Sequence, residues 1–391
     1  MTENTNPTEL LGGITLDGGD DHVHEPACEI NHLELDGNGE HRAIDASRRL
    51  ADHTTMRVGG EADELIIATT TDDLVAAIGE ADDAGTPVLV LSGGSNMVVG
   101  DEGFRGRVVR VATRGISADV SDCAGAFVTV EAGENWDDFV ALAVEKQWIG
   151  VETLSGIPGL VGSTPIQNVG AYGAEVAQVI ARVRAWDRQT RAFKTFFPAD
   201  CDFAYRMSRF KAEPGRWVIV QVSFQFELGP LSEPIRYPEL ANALDVEVGG
   251  RAPLAQVREA VLSIRASKGM VLDPAEHDTW SAGSFFTNPL LAPEMAATLP
   301  EDAPRFPQPD GRIKSSAAWL ISHAGFQKGH PLQERPDAPA SLSTRHSLAL
   351  TNRGTATAAD IVALAREVRD GVEKAYGIRL VPEPVTVGCE I

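Results

Sequence analysis

The chain has 391 residues, too many for a peptide or a disulfide-stapled module and enough for two or three domains at roughly 150 residues each. With 43% hydrophobic and 23% charged residues it has the composition of an ordinary globular protein. The 34 Lys and Arg against 56 Asp and Glu give a net charge of −22. That disfavours a nucleic-acid backbone or an anionic membrane as partner, while a local cationic pocket for a small phosphorylated ligand stays open.

Residues 1–41 hold ten Asp or Glu and no Lys or Arg, the composition of a solvated acidic tail. Within it Asp20, Asp21, His22, His24, Cys28 and His32 match no closed metal-site spacing, so no metal is expected. The four cysteines, Cys28, Cys123, Cys201 and Cys389, are far apart with no C-x-x-C pair. A disulfide framework is therefore not expected, and a reducing compartment fits. No apolar run reaches the roughly 18 residues of a membrane span and no signal-peptide pattern opens the chain, so the expected location is the cytoplasm.

From Leu50 onward the pattern becomes regular. Residues 72–84 place Leu74, Val75, Ile78 and Ala81 on one helical face, and Gly85-Thr86-Pro87 stops that helix. Val88–Leu91 reads as a buried strand running into Ser92-Gly93-Gly94-Ser95-Asn96. Strand-like runs at 107–111 and 127–131 precede a helix with Trp136, Phe139, Val140, Ala143 and Val144 on one face. Residues 150–173 read as backbone shaped around a ligand. Strands are expected at 179–187 and 217–226, a boundary near 229–233, and helices at 255–267 and 357–376, the last closed by Gly377. Helices alternate with strands, which points to an α+β or α/β protein of several domains.

Two glycine-rich loops carry the first chemical signal: Ser92 to Asn96, and Gly156-Ile157-Pro158-Gly159-Leu160-Val161-Gly162-Ser163-Thr164. Glycine lets backbone N–H groups surround phosphate oxygens, and neighbouring Ser, Thr and Asn add donors. Neither is a Walker loop or a G-x-G-x-x-G turn, which disfavours a kinase or a simple dehydrogenase. Alone, each is weak evidence, since a glycine-rich turn is more often plain structure. Together with the polar, glycine-rich stretch Pro165 to Gly173, they suggest a large phosphorylated cofactor.

Further motifs join them in order. Ala132-Gly133-Glu134-Asn135-Trp136, Ile157-Pro158-Gly159, and Gly162 through Gln167-Asn168 to Gly170-Ala171-Tyr172-Gly173 precede Phe203-Ala204-Tyr205-Arg206 with Ser208–Lys211. Ala282-Gly283-Ser284-Phe285-Phe286 with Asn288-Pro289, and Pro382-Glu383-Pro384, follow. This set resembles the UDP-N-acetylenolpyruvoylglucosamine reductase family over roughly residues 50–390. The resemblance implies an α+β flavoprotein with a vanillyl-alcohol-oxidase-like, PCMH-type FAD-binding domain in two lobes and a C-terminal α+β substrate-binding domain. The boundaries it suggests are 1–48 for the tail, 49–228 for the FAD domain (lobes 49–115 and 116–228), 229–378 for the substrate domain, and 379–391 for a segment returning to the active site.

The resemblance also implies non-covalently bound FAD, with NADPH as co-substrate. The cofactor contacts would be Ser92, Gly93, Gly94, Ser95, Asn96, Gly133, Ile157, Pro158, Gly159, Gly162, Ser163, Gln167, Gly170, Tyr172 and Gly173. The reaction would reduce an enolpyruvyl ether of UDP-N-acetylglucosamine to UDP-N-acetylmuramate for peptidoglycan. Hydride addition to the vinyl carbon leaves enolate character beside the carboxylate, so the site must stabilise charge and deliver a proton. By resemblance Ser284 is the proton donor, Arg206 the planar cation facing the enolate, and Glu383 a carboxyl that donates a hydrogen bond if burial keeps it protonated. Lys268 and Asn288 match diphosphate-binding positions, and Tyr237 matches the clamping tyrosine of the longer family subtype. Lys314 and Arg265 are weaker candidates.

Gly329–Ser343, rich in Pro, Ala and charge, is expected as a surface loop. A monomer that engages no nucleic acid and no membrane is the expected assembly. The rival readings are an oxidase of the same flavin superfamily acting on an alcohol or sugar, and a non-enzymatic nucleotide-binding protein. The joint presence of Arg206, Ser284 and Glu383 argues against the second.

Overall fold

The computed structural model describes residues 29–35 and 46–391. Most of the acidic tail, including Asp20, Asp21, His22, His24 and Cys28, lies outside the described residues. The amphipathic helix read at 72–84 spans Thr71–Asp83, with the Thr70 side chain accepting a hydrogen bond from the Asp73 amide and Leu74, Ala77, Ile78 and Ala81 buried. It packs against a small parallel sheet in the order Ala62–Ala68, Phe104–Val111, Val88–Leu91. All three strands point the same way, so their carboxyl ends share one edge, and the Ser92–Asn96 loop leaves from it.

The second layer is a larger antiparallel sheet in the order Asn31–Leu35, Ile116–Ser121, Gly125–Glu131, Trp217–Leu228, Ile180–Asp187, Ala192–Phe196, with Trp148–Ile149 pairing the end of the long strand. The helix Trp136–Glu145 covers it, and Trp136, Phe139, Trp148, Phe224 and Phe226 stack in its core.

A separate cluster around Ile235, Leu240, Val257 and Val261 carries the helix Leu254–Ser267, which is tied to the first helix of that layer by Arg258 and Asp137 at 2.6 Å. The carboxyl-terminal region builds its own core from Phe285, Phe286, Leu320, Leu350 and the long helix Ala358–Tyr376. That helix ends at Gly377 in the left-handed region, φ 69°, as its sequence position requires. Its amino end is capped from another part of the chain, since Asp101 accepts hydrogen bonds from the Ala358 and Ala359 amides. Val385–Val387 then pairs in parallel with Met97–Val99, returning the chain end to the first layer.

Three expectations change. Residues 31–35 are not part of a solvated tail: they pair with Ile116–Ser121, and Leu33 and Leu35 pack on the core of the large sheet. The alternation of His32, Leu33, Glu34 and Leu35 puts both leucines on one face, which the acidic surroundings conceal. The end of the expected 329–343 surface loop is interior, because Ala340–Leu342 is a buried strand paired with Leu350–Asn352. Cys123 is disulfide-bonded, whereas Cys201 and Cys389 are free. Among the described residues, no helix is long and apolar enough to cross a membrane.

Candidate active site

Each glycine loop is fixed from below. Thr55 donates its hydroxyl hydrogen to the Ser281 carbonyl at 2.7 Å and lies 3.3 Å from the Ser95 carbonyl, binding the first loop to the carboxyl-terminal region. The second loop is held by the start of the helix at Trp136: the Trp136 amide donates to the Gly159 carbonyl at 3.1 Å, and the Gly156 amide donates to Asp137 at 2.6 Å. The loops meet at their glycines. A Cβ on Gly93 would stand 2.6 Å from the Gly159 Cα, so Gly93 has no room for a side chain without separating the loops. Gly133 and Gly162 lie at the seam between layers, where a Cβ would strike Thr113 backbone or Ala132.

Asn96 joins the loop to the chemistry. Its side-chain amide donates to Gln167 at 2.8 Å and to the Glu383 carbonyl at 3.3 Å, while its carbonyl accepts from the Val385 amide at 3.0 Å. The Glu383 amide donates to the Phe285 carbonyl at 2.8 Å, which places the glutamate beside the Gly283-Ser284 turn. Gly283 turns with φ 72°, Ser284 is half-buried, and Phe285 and Phe286 are fully enclosed.

Arg206 comes from the other side. Its guanidinium donates to the Gly170 carbonyl at 2.9 Å and lies 3.1 Å from the Glu383 carboxylate. Burial pushes the Glu383 carboxyl above the usual range, opposed by Arg206 and Lys211. Its proton therefore persists to higher pH than in water, with the two cations limiting how far. Tyr205 is likewise raised by burial, with Arg206 acting against it, and the Lys314 ammonium sits 4.9 Å from its ring centre. A cavity of about 400 Å³ opens here, lined by Tyr205, Arg206, Thr287, Asn288, Arg379 and Val381 among others.

Comparisons with known proteins bear on the family. A family model described as UDP-N-acetylenolpyruvoylglucosamine reductase, C-terminal domain, matches residues 273–387, and one described as FAD binding domain matches 62–195. A UDP-N-acetylenolpyruvoylglucosamine reductase from Cutibacterium acnes is 60% identical, the match covering 93% of this chain and 96% of that protein. One from Streptomyces avermitilis is 53% identical over 88% and 94% of the two chains. The chain belongs to the UDP-N-acetylenolpyruvoylglucosamine reductase family. The crystal structure of the Thermus caldophilus enzyme of that name shares the fold, with a TM-score of 0.58 and 23% identity, covering 92% of this chain and all of the other.

The reductase family's FAD fits the residues present. Beside the cradle made by the two loops, the Ser92 hydroxyl is buried and has no hydrogen-bond partner. So are Nε and Nη1 of Arg110, which pairs in register with Leu91, the residue before Ser92. Burial and the nearby Arg114 pull the Arg110 guanidinium down to about 10. Unpartnered buried donors next to a glycine cradle suit a pyrophosphate. Sequence reasoning missed Arg110, because strand alternation marks a residue's face and not whether its charge has a partner.

The substrate candidates divide into two groups. Asn288 lines the cavity with Arg206, although its carbonyl oxygen is already used by the Ala317 amide at 2.9 Å. Tyr237 stacks edge-on to Tyr172 at 5.5 Å, and Lys268 is bonded to Glu239 at 2.6 Å. Arg265, fully buried behind them, donates to the Met270 carbonyl at 2.9 Å and counters the burial that pushes Tyr172 up to about 12. No bond among the described residues joins Lys268 to Arg206. The larger cavity of about 750 Å³ touches Tyr172 and Gly173 but none of Arg206, Ser284 and Glu383. Of the acidic cluster weighed for metal, the described member His32 bonds Asp119 and Glu34.

Proposed function

We propose that this chain reduces UDP-N-acetyl-3-O-(1-carboxyvinyl)-glucosamine to UDP-N-acetylmuramate with NADPH, in peptidoglycan precursor synthesis. The observation that carries the reading is the meeting of Arg206, Glu383 and the Ser284 turn against the glycine cradle. FAD, held by the loops at Ser92–Asn96 and Gly156–Ser163 with Gln167 and Arg110, supplies hydride transfer when bound.

The protein's own task is to orient the substrate, hold its charge and move one proton. Arg206 presents a permanent planar cation to the substrate carboxylate, where negative charge grows as the vinyl carbon accepts hydride. Glu383, whose protonated form burial favours, donates a hydrogen bond to that developing enolate. Ser284 gives its hydroxyl proton to the carbon beside the carboxylate, and Phe285 and Phe286 keep water from competing. Asn288, Lys268 and Tyr237 hold the nucleotide diphosphate. The Lys268–Glu239 bond must open for that contact. The reading includes a cytoplasmic monomer.

The test is NADPH oxidation with and without the enolpyruvyl nucleotide sugar. Oxidation that depends on the sugar supports the reductase. Reduced protein reoxidised faster by air than by the sugar would identify an oxidase of the same superfamily instead.

A further inference from the structure

Arg206 occupies an unusual backbone position. The Ala204 and Met207 amides and carbonyls bond each other at 3.0 and 3.1 Å, leaving Tyr205-Arg206 as the tip of a tight turn. Arg206 has φ 54°, a conformation that turns normally give to glycine or asparagine and that strains a larger side chain. It persists only if neighbouring groups determine it. The guanidinium is held by Gly170, and the Arg206 carbonyl accepts a hydrogen bond from the Lys211 ammonium at 3.0 Å.

Lys211 is itself placed with care. It sits on the short helix Arg209–Ala212, where the Ser208 side chain accepts from its amide at 3.3 Å and donates to the Ile166 carbonyl behind the second glycine loop. Burial draws the Lys211 ammonium below its ordinary value, with Glu383 countering and Arg206 adding to the fall. A half-buried lysine directed at a backbone carbonyl beside a buried carboxyl does more than tether a turn, because a neutral donor could do that without desolvating a charge.

We propose that Lys211 is a positioning residue of the reaction: it locks in its left-handed conformation the Arg206 whose guanidinium lies 3.1 Å from Glu383, and so adds a cation to the Glu383 surroundings. This rests on Arg206 and Glu383 serving the enolate as described above. The charged and titratable groups facing Glu383 are then Arg206, Lys211 and Tyr205. Both cations pull its carboxyl down against burial. If protonated Glu383 is the working form, activity falls as pH rises through its folded pKa. Removing one cation raises that pKa, so the alkaline limb moves to higher pH.

The experiment uses FAD-loaded full-length protein and measures flavin reduction by NADPH and flavin reoxidation by the enolpyruvyl nucleotide sugar separately, across pH. Lys211→Met should slow reoxidation by about 10-fold or more, through misplacement of Arg206, and shift its alkaline limb upward. Reduction by NADPH should change far less. Lys211→Arg should keep the limb in place, and Lys211→Gln, which retains a donor without charge, should shift it with a smaller rate loss. If Lys211→Met fails to retain flavin, the Gln and Arg variants decide. A Gln or Met variant with bound flavin, an unmoved limb and both half-reactions slowed alike would overturn the positioning role. Wild-type protein that never passes electrons to the sugar would instead overturn the functional reading on which this proposal stands.

Discussion

Arg206, Glu383 and Ser284 lie far apart in sequence, and each is presented by a different local device: a left-handed turn, a chain end paired to a neighbouring strand, and a glycine turn backed by two phenylalanines. Their chemical types could be read from motif resemblance before any geometry was known. Lys211 and Arg110 could not be assigned roles that way, because what matters about them is a partner, or the lack of one, that only the folded geometry reveals. Arg110 gives a prediction at this scale. Its guanidinium has buried nitrogens without acceptors and no nearby carboxylate to compensate it, so the protein without cofactor carries a desolvation penalty that an anion would relieve. Arg110→Met should weaken FAD binding by about 10- to 100-fold, the worth of a charged hydrogen bond, without lowering the thermal midpoint of the cofactor-free protein. Flavin-fluorescence titration checks the first and thermal melting the second; unchanged FAD affinity would remove Arg110 from the cradle.

Among the elements, long periodic segments were the most legible. The helices at Thr71–Asp83, Trp136–Glu145, Leu254–Ser267 and Ala358–Tyr376 all follow their apolar spacing, and Thr70, Asn135 and Thr357 cap the amino ends of three of them. Short strands were hidden when their surroundings dominated the composition. Asn31–Leu35 is embedded in acids, and Ala340–Leu342 follows a run of Pro and charge, so only their pairing, the first with distant Ile116–Ser121 and the second with nearby Leu350–Asn352, reveals either as ordered. The glycine loops were legible as loops, but their contact with each other was not. That contact makes a specific prediction: Gly93→Val forces the Gly159 backbone away and should give folded protein that does not retain FAD. Circular dichroism together with the flavin absorbance of the purified variant measures both properties, and a yellow Gly93→Val protein would show that the approach of the two loops is not required.

For the whole molecule, the site exists only where three regions of the chain meet. Met97–Val99 pairs with the chain end, Asn352 donates to the Met56 carbonyl at 3.1 Å, and Asp101 caps a helix that begins 257 residues later. Asp101→Ala should therefore loosen the carboxyl-terminal region, costing about 1 kcal/mol as a lost helix cap and lowering the thermal midpoint of the holoprotein. An unchanged midpoint would mean the docking does not depend on that cap. The net charge of −22 also looks different at this scale, since residues 1–53 hold twelve acids and only three arginines, while Lys211 reaches the Arg206 carbonyl and Lys314 lies over the neighbouring Tyr205 ring. The central claim is that the site where Arg206, Glu383 and the Ser284 turn meet reduces an enolpyruvyl ether with Ser284 as its proton donor. The most direct measurement is rapid-mixing kinetics of Ser284→Ala with the two half-reactions followed separately. Flavin reduction by NADPH should stay close to wild type while reoxidation by the enolpyruvyl nucleotide sugar slows by about 10²- to 10⁴-fold; equal slowing of both steps, or of neither, would contradict the account.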